Sequence, residues 1–199
     1  MIDLVGEYHA VMRRMPFAEA VRLHDDFGVP WRSITTACPV PARAVFADRE
    51  RLLYEPAENG RAVWIMPVCA VDPSQPEEIE TVDPMDVVAD LSRVVDLVAF
   101  DPHCRERFAL RTGGATVLGA VEPQLLGPDR VRVWNDIGDW LRDSCRGIVL
   151  LTNDCHQRGR ILRRLSSIEA QQPTQVTAWL GLPAYPPALP PTVFPMRVA

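Results

Sequence analysis

The chain has 199 residues, 47% of them hydrophobic and 24% charged, with a formal net charge of −5. This is enough apolar material for one core or two small ones, and the negative balance excludes whole-surface binding to nucleic acid while permitting a local basic face. All 21 basic residues are arginine, so a P-loop lysine, a Schiff-base lysine and a lysine general base are excluded.

No run of about 18 apolar residues occurs, so no membrane span is expected. The opening MIDLVGEYHAVMRRM has no basic segment followed by an apolar one, so no secretory leader is expected there. Cys38, Cys69, Cys104, Cys145 and Cys155 are odd in number and not closely paired. They read as reduced thiols of a cytoplasmic protein rather than a disulfide framework.

In chain order, Leu4, Val5, Tyr8 and Met12 recur near a 3.6-residue period and predict a first helix over 4–14. Pro16 suits the start of a second helix, FAEAVRLHDDF, which Gly28 ends. Val29 and Pro30 break the pattern, and WRSITTA predicts a short third helix. From Ala44 the period changes. ARAVFA, RLLYEP, RAVWIMPVCAV, RVVDLVAF and RFALRTG are short, β-branched and aromatic segments between turn residues, and they predict strands. Glu58, Asn59 and Gly60 predict a hairpin turn between Tyr54 and Val63, and Pro67 predicts a sheet edge or a bulge. Residues 72–86 (DPSQPEEIETVDPMD) are acidic and aperiodic, which predicts an exposed loop.

Further on, VRVWNDIGDWLRDSCRG and IVLL read as strand, helix and buried strand, a βαβ pattern. Asn135 or Asp136 caps that helix, and Ile137, Trp140 and Leu141 share its core face. After Gln172 the density of prolines predicts an extended polyproline segment that packs Trp179, Leu180, Tyr185 and Phe194 onto its own domain. The expected fold is α+β (mixed α/β). Its expected parts are helices over 1–43, a strand-rich subdomain over 44–114, a βαβα unit over 115–172 and a proline-rich tail over 173–199.

The candidate chemistry gathers around the βαβα unit. Glu122 closes the apolar run VLGAV, and Asp154 follows GIVLLTN. Were these runs neighbouring parallel strands, both carboxylates would emerge at one sheet edge, where ligands of open α/β sheets bind. Two hard oxygen ligands there suit Mg²⁺, with His156 a poorer third ligand. Arg158, Arg160, Arg163 and Arg164 place a positive cluster on the next helix. Arg111 with Thr112, Gly113 and Gly114 forms a strand end and turn whose backbone N–H groups suit an anion. His103–Cys104 and Cys155–His156 are soft ligands, but adjacent side chains point apart, and packing is the better reading of these thiols.

The stretch IVLLTNDCHQRGRILRRL resembles the last catalytic strand and helix of a Toprim domain, the metal-binding fold shared by bacterial primases and topoisomerases. Asp154, His156 and Gly159 stand in register with that family's D-x-D-x-x-G pattern. VLGAVEP is similar to its first strand, and Glu122 matches the glutamate that ends it. FGVPWRSITTA, RAVWIMPV and VVDLVAFDP are similar to the segments that precede Toprim in phage-type primases, so the resemblance covers residues 15–168. His156 replaces the second aspartate, Pro123 stands where a glycine is usual, and the interval from Glu122 to Asp154 is short.

The resemblance implies catalytic roles for Glu122 and Asp154, Mg²⁺ held with His156, and nucleic-acid contacts from Arg111, Arg158, Arg160, Arg163 and Arg164. The departures imply a degenerate member that binds nucleic acid or a replication partner without efficient catalysis. The alternative is a non-enzymatic adaptor or inhibitor that meets a protein partner through the acidic loop and the proline-rich tail.

Overall fold

Two prolines and a glycine punctuate the first third of the chain. The computed structural model describes residues 2–48, 52–69, 94–104, 108–119, 130–181 and 192–196. Helix α1 (Leu4–Met12) is capped by Asp3, whose carboxylate accepts the Gly6 N–H at 2.9 Å. Helices α2 (Phe17–Asp25) and α3 (Trp31–Ala37) each follow an extended proline, Pro16 and Pro30, because the fixed proline φ suits a helix start. Gly28 takes φ +67° beyond α2, the left-handed conformation that ends a helix with least strain.

Strands β1 (Val40–Asp48), β2 (Leu53–Pro56), β3 (Arg61–Cys69), β4 (Val94–Phe100) and β5 (Phe108–Leu110) close a barrel in the order β1-β2-β5-β4-β3. Side-chain alternation divides its residues between two cores. Val63, Ile65, Leu97 and Ala99 pack inward with Tyr8 of α1, which plugs the barrel and donates its hydroxyl to the Cys38 carbonyl at 2.5 Å. Trp64, Met66, Val98 and Phe100 pack outward against α2, α3 and the second sheet. With both faces covered, β3 and β4 show continuous apolar runs instead of polar alternation.

The second sheet has the order β10-β9-β7-β8-β6, from β6 (Val117–Leu118), β7 (Val131–Trp134), β8 (Ile148–Leu150), β9 (Ser167–Ala170) and β10 (Thr192–Pro195). Strands β7, β8, β9 and β10 are parallel, and α4 (Ile137–Arg142), α5 (Cys155–Leu162) and α6 (Pro173–Leu180) lie in sequence between them. Val149 and Leu151 face α4 and the barrel side, whereas Ile148 and Leu150 face α5 and α6. The chain is thus a mixed α+β protein whose barrel and α/β sheet share one core.

Three expectations meet a different arrangement, and the one at Pro67 is met by a bulge beside it. The turn at Glu58–Gly60 is present, but it does not close a hairpin: β2 and β3 both pair with β1, on its two sides, and Ala44 faces Pro56 and Arg61 at once. Gly60 makes this crossing possible, since a Cβ there would fall 2.6 Å from the Ala44 carbonyl carbon and oxygen. Pro67 lies in an interior strand, but beyond the last pair with β1 (Val40–Ile65), with a bulge following at Val68–Cys69.

The segment after Gln172 begins as helix α6, because Pro173 occupies the first helical turn where its missing N–H is not needed. Val176, Trp179 and Leu180 are buried, and the chain returns as β10 beside β9, so the α/β unit runs on to Pro195. Finally, β6 runs antiparallel to β8, not parallel. Gly119 (φ +105°) lies against the Gly147 carbonyl at the start of β8, so β6 ends at the edge opposite Asp154. The acidic loop 72–86, Glu122 and Tyr185 lie outside the described residues.

Candidate functional site

The carboxyl ends of β7, β8 and β9 form one edge of the α/β sheet. Strand β7 is followed to one side by β8 and to the other by β9, so the chain reverses direction across β7. Such a switch point opens a crevice between β7 and β9, the usual ligand position in open α/β sheets. Here the crevice is laced by amides. Gln171 Oε1 accepts the Asn135 N–H at 3.2 Å, Asn135 Nδ2 donates to Gln175 Oε1 at 3.1 Å, and Gln171 Nε2 donates to Asp139 Oδ2 at 2.7 Å. Arg142 bonds Asp139 at 2.6 Å and the Phe27 carbonyl at 2.8 Å, tying α4 to the end of α2.

Three aspartates fill the N–H clusters that an external anion would otherwise find. Asp96 is fully buried, and its two oxygens accept five backbone N–H groups, from Leu97, Arg111, Thr112, Gly114 and Ala115, at 2.8–3.2 Å. The Thr112–Gly114 turn is therefore an anion nest, as its residues suggest, and its anion is internal. The signal for this lay in the sequence as the one acid inside the apolar run VVDLVAF. Asp154 caps α5, accepting from His156 N at 2.8 Å and Gln157 N at 3.3 Å. Asp136 caps α4 through Asp139 N at 3.0 Å.

Asp136 differs from the other two in one respect. It is 7% exposed, and its Oδ2 has no hydrogen-bond partner. It faces a cleft of about 10 Å³ between barrel and sheet, walled by Phe100, Phe108 and Ile137 with Arg142 alongside. That is room for about one water. Burial raises its pKa above the usual carboxylate value, against the lowering effect of the Asp139 N–H.

The predicted site residues fall into separate places. Glu122 is not among the described residues, and Asp154 spends one oxygen on its helix. His156 is exposed on the first turn of α5. Among the described residues no group of three or more His, Cys, Asp or Glu is set to hold a metal. Of the three donors expected for Mg²⁺, Asp154 and His156 are described and Glu122 is not. Arg111 lies far in sequence from the arginines of the α5 region and pairs with Glu7 of α1 at 2.8 Å.

The α5 arginines divide by environment. Arg158 donates to the Thr152 carbonyl at 2.5 Å and lies 4.6 Å from the Trp179 ring centre, and burial lowers its pKa. Arg163 donates to the Leu180 carbonyl at 2.7 Å. Arg160 and Arg164 are exposed and, with His156, follow an i, i+4, i+8 spacing that makes one row. Among the described residues Arg22, Arg61, Arg111, Arg132 and Arg142 meet carboxylates, whereas Arg158, Arg160 and Arg164 do not. No helix among the described residues is long and apolar enough to cross a membrane.

Comparisons with protein-family models, curated proteins and solved structures found no match to this chain.

Proposed function

We propose that the chain binds nucleic acid through the outer face of α5. The observation that carries this reading is the pair of exposed guanidiniums at Arg160 and Arg164, in one row with His156 and without carboxylate partners among the described residues, in a chain of net charge −5. Five arginines elsewhere among the described residues are neutralised by ion pairs, and these two are not. Two uncompensated guanidiniums, on the last turn of α5 and just past its end, concentrate positive potential where phosphates would gain most. Arg158 is further anchored by a carbonyl and an indole face, which holds its head group in place. The resemblance to a degenerate Toprim domain supports the same ligand, in a protein that binds without efficient catalysis.

The test is fluorescence anisotropy of labelled oligonucleotides over a salt series, for the natural chain and the Arg160→Ala/Arg164→Ala variant. Each lost phosphate contact lowers the slope of log K against log salt by about 0.7–0.9, so the double variant should flatten it by roughly 1.5. Equal slopes for the two proteins would sink the reading. Absence of any salt-dependent oligonucleotide binding by the natural chain would favour the protein-adaptor alternative.

A further inference from the structure

The start of each helix in the α2–α3 hairpin carries an aromatic residue that the core does not use. Phe17 follows Pro16 and Trp31 follows Pro30, each as the first residue of its helix, and they are 76% and 40% exposed. Their rings are stacked, with centres 6.0 Å apart and planes 9° apart. The His24 ring lies 4.9 Å from Trp31, and its Nδ1 is held to the Val29 carbonyl at 2.8 Å. The result is a row of three rings, Phe17, Trp31 and His24, fixed by two proline-initiated helices and one side-chain bond. At this exposure the Phe17 ring gains little from burial, and the face it turns away from Trp31 is open to a further planar ring.

The charges beside the row indicate which partner. Arg13 and Arg14 lie in the turn before Phe17, and Arg32 follows Trp31; all three are exposed and none is in an ion pair among the described residues. Arg22 pairs with both Glu19 (3.2 Å) and Asp26 (3.7 Å), which leaves Asp25 as the exposed carboxylate there with no ion pair. Four guanidiniums (Arg13, Arg14, Arg22 and Arg32) stand against three carboxylates (Glu19, Asp25 and Asp26), and the three guanidiniums without an ion pair, set beside planar rings, complement phosphates joined to bare bases.

We propose that the Phe17–Trp31–His24 row is a stacking platform for single-stranded nucleic acid. A duplex hides the faces of its bases, so it offers the rings nothing to stack on, whereas every unpaired base presents a π-face. The platform lies on the barrel side of the α/β sheet and α5 on the other, so the two surfaces are separate. The inference rests on the nucleic-acid reading for the chemistry of the ligand, and it adds the class: single strands.

The experiment measures anisotropy of labelled oligo(dT) and of a duplex of equal length against the full chain and its Phe17→Ala, Trp31→Phe and Arg160→Ala/Arg164→Ala variants. Phe17→Ala should weaken oligo(dT) binding about fivefold or more, the loss of one stacked base, and leave duplex binding unchanged. Unlabelled oligo(dT) should quench tryptophan emission, and Trp31→Phe should remove that quenching while keeping a ring. Phe17 is exposed enough that its variant should melt with the natural chain, which separates lost stacking from lost fold. Unchanged oligo(dT) affinity in Phe17→Ala, or an equal loss for duplex, overturns the platform alone. An effect of Phe17→Ala with none of Arg160→Ala/Arg164→Ala upholds the platform and removes α5. Failure of the natural chain to bind either oligonucleotide overturns both.

Discussion

The carboxylate of Asp96 on β4 accepts the Gly114 N–H at 2.8 Å, and four further backbone N–H groups surround it, so a turn between barrel and sheet is organised by one buried charge. Asparagine at this position keeps the shape but turns an NH₂ group toward N–H donors. At least two bonds are then lost and two donors left buried. Asp96→Asn should cost about 3–5 kcal/mol, read as a lowered urea midpoint. A variant within about 1 kcal/mol of the natural chain would show that the nest does not hold the turn.

Tyr54 presents the opposite case. Its ring is 1% exposed inside the barrel, and its hydroxyl has no hydrogen-bond partner. Burial, with the nearby Glu7 carboxylate, pushes its pKa far above the usual phenol value. Removing an unsatisfied polar group removes a desolvation penalty, so Tyr54→Phe should be neutral or stabilising by up to about 1 kcal/mol. A clear fall in melting temperature would contradict this.

Asp136 makes stability depend on pH in the direction opposite to an ion-paired aspartate. Its folded pKa is raised above the ordinary 3.8, chiefly by burial. Between those two values the native state binds more protons than the unfolded one. Stability therefore falls as pH rises through that window, and the full penalty is present above it. Asparagine also caps helices well, so Asp136→Asn should raise the melting temperature at neutral pH and show no gain below about pH 4. Thermal melts of both proteins from pH 4 to 8 check the sign; a variant less stable at pH 7 would reverse it.

Gly60 is required by space and not by its φ. An alanine Cβ would meet the Ala44 backbone nitrogen at 2.7 Å, besides its carbonyl carbon and oxygen. Backbone atoms on an interior strand cannot yield as a flexible side chain would. Gly60→Ala should cost about 2–4 kcal/mol in denaturant titration, or prevent soluble expression. An unperturbed midpoint would mean that β1 can shift past the turn.

Helices α1 to α3, the buried strand at 148–150 and the cap at Asp136 were legible because their causes are local. A 3.6-residue period, a proline before α2 and α3, and a capping carboxylate act within one or two turns of chain. The mixed α+β class follows from the same signals. The candidate site was legible only as residue types: the anion nest at Thr112–Gly114 and the arginines of α5 stand in the sequence, but their partners do not. Asp96 lies 18 residues before Gly114 and Glu7 lies 104 before Arg111, and nothing in either local pattern announces the pairing.

Strand direction was likewise beyond local reach. VLGAV reads the same whether β6 is parallel or antiparallel to β8; the pairing of Val117 with Leu150 and of Leu118 with Val149 makes it antiparallel. The fate of the proline-rich end was decided in the same way. Proline forbids a helix only from its own position backwards, so Pro173 starts α6, and the sheet edge at β9 then recruits Thr192–Pro195 as a strand. The sequence by itself thus determined the chain's local conformations and its uneven charge. Tertiary structure alone decided which carboxylate fills which cradle, and which guanidiniums among the described residues stay without a carboxylate, because those pairings depend on distances that backbone neighbours do not set.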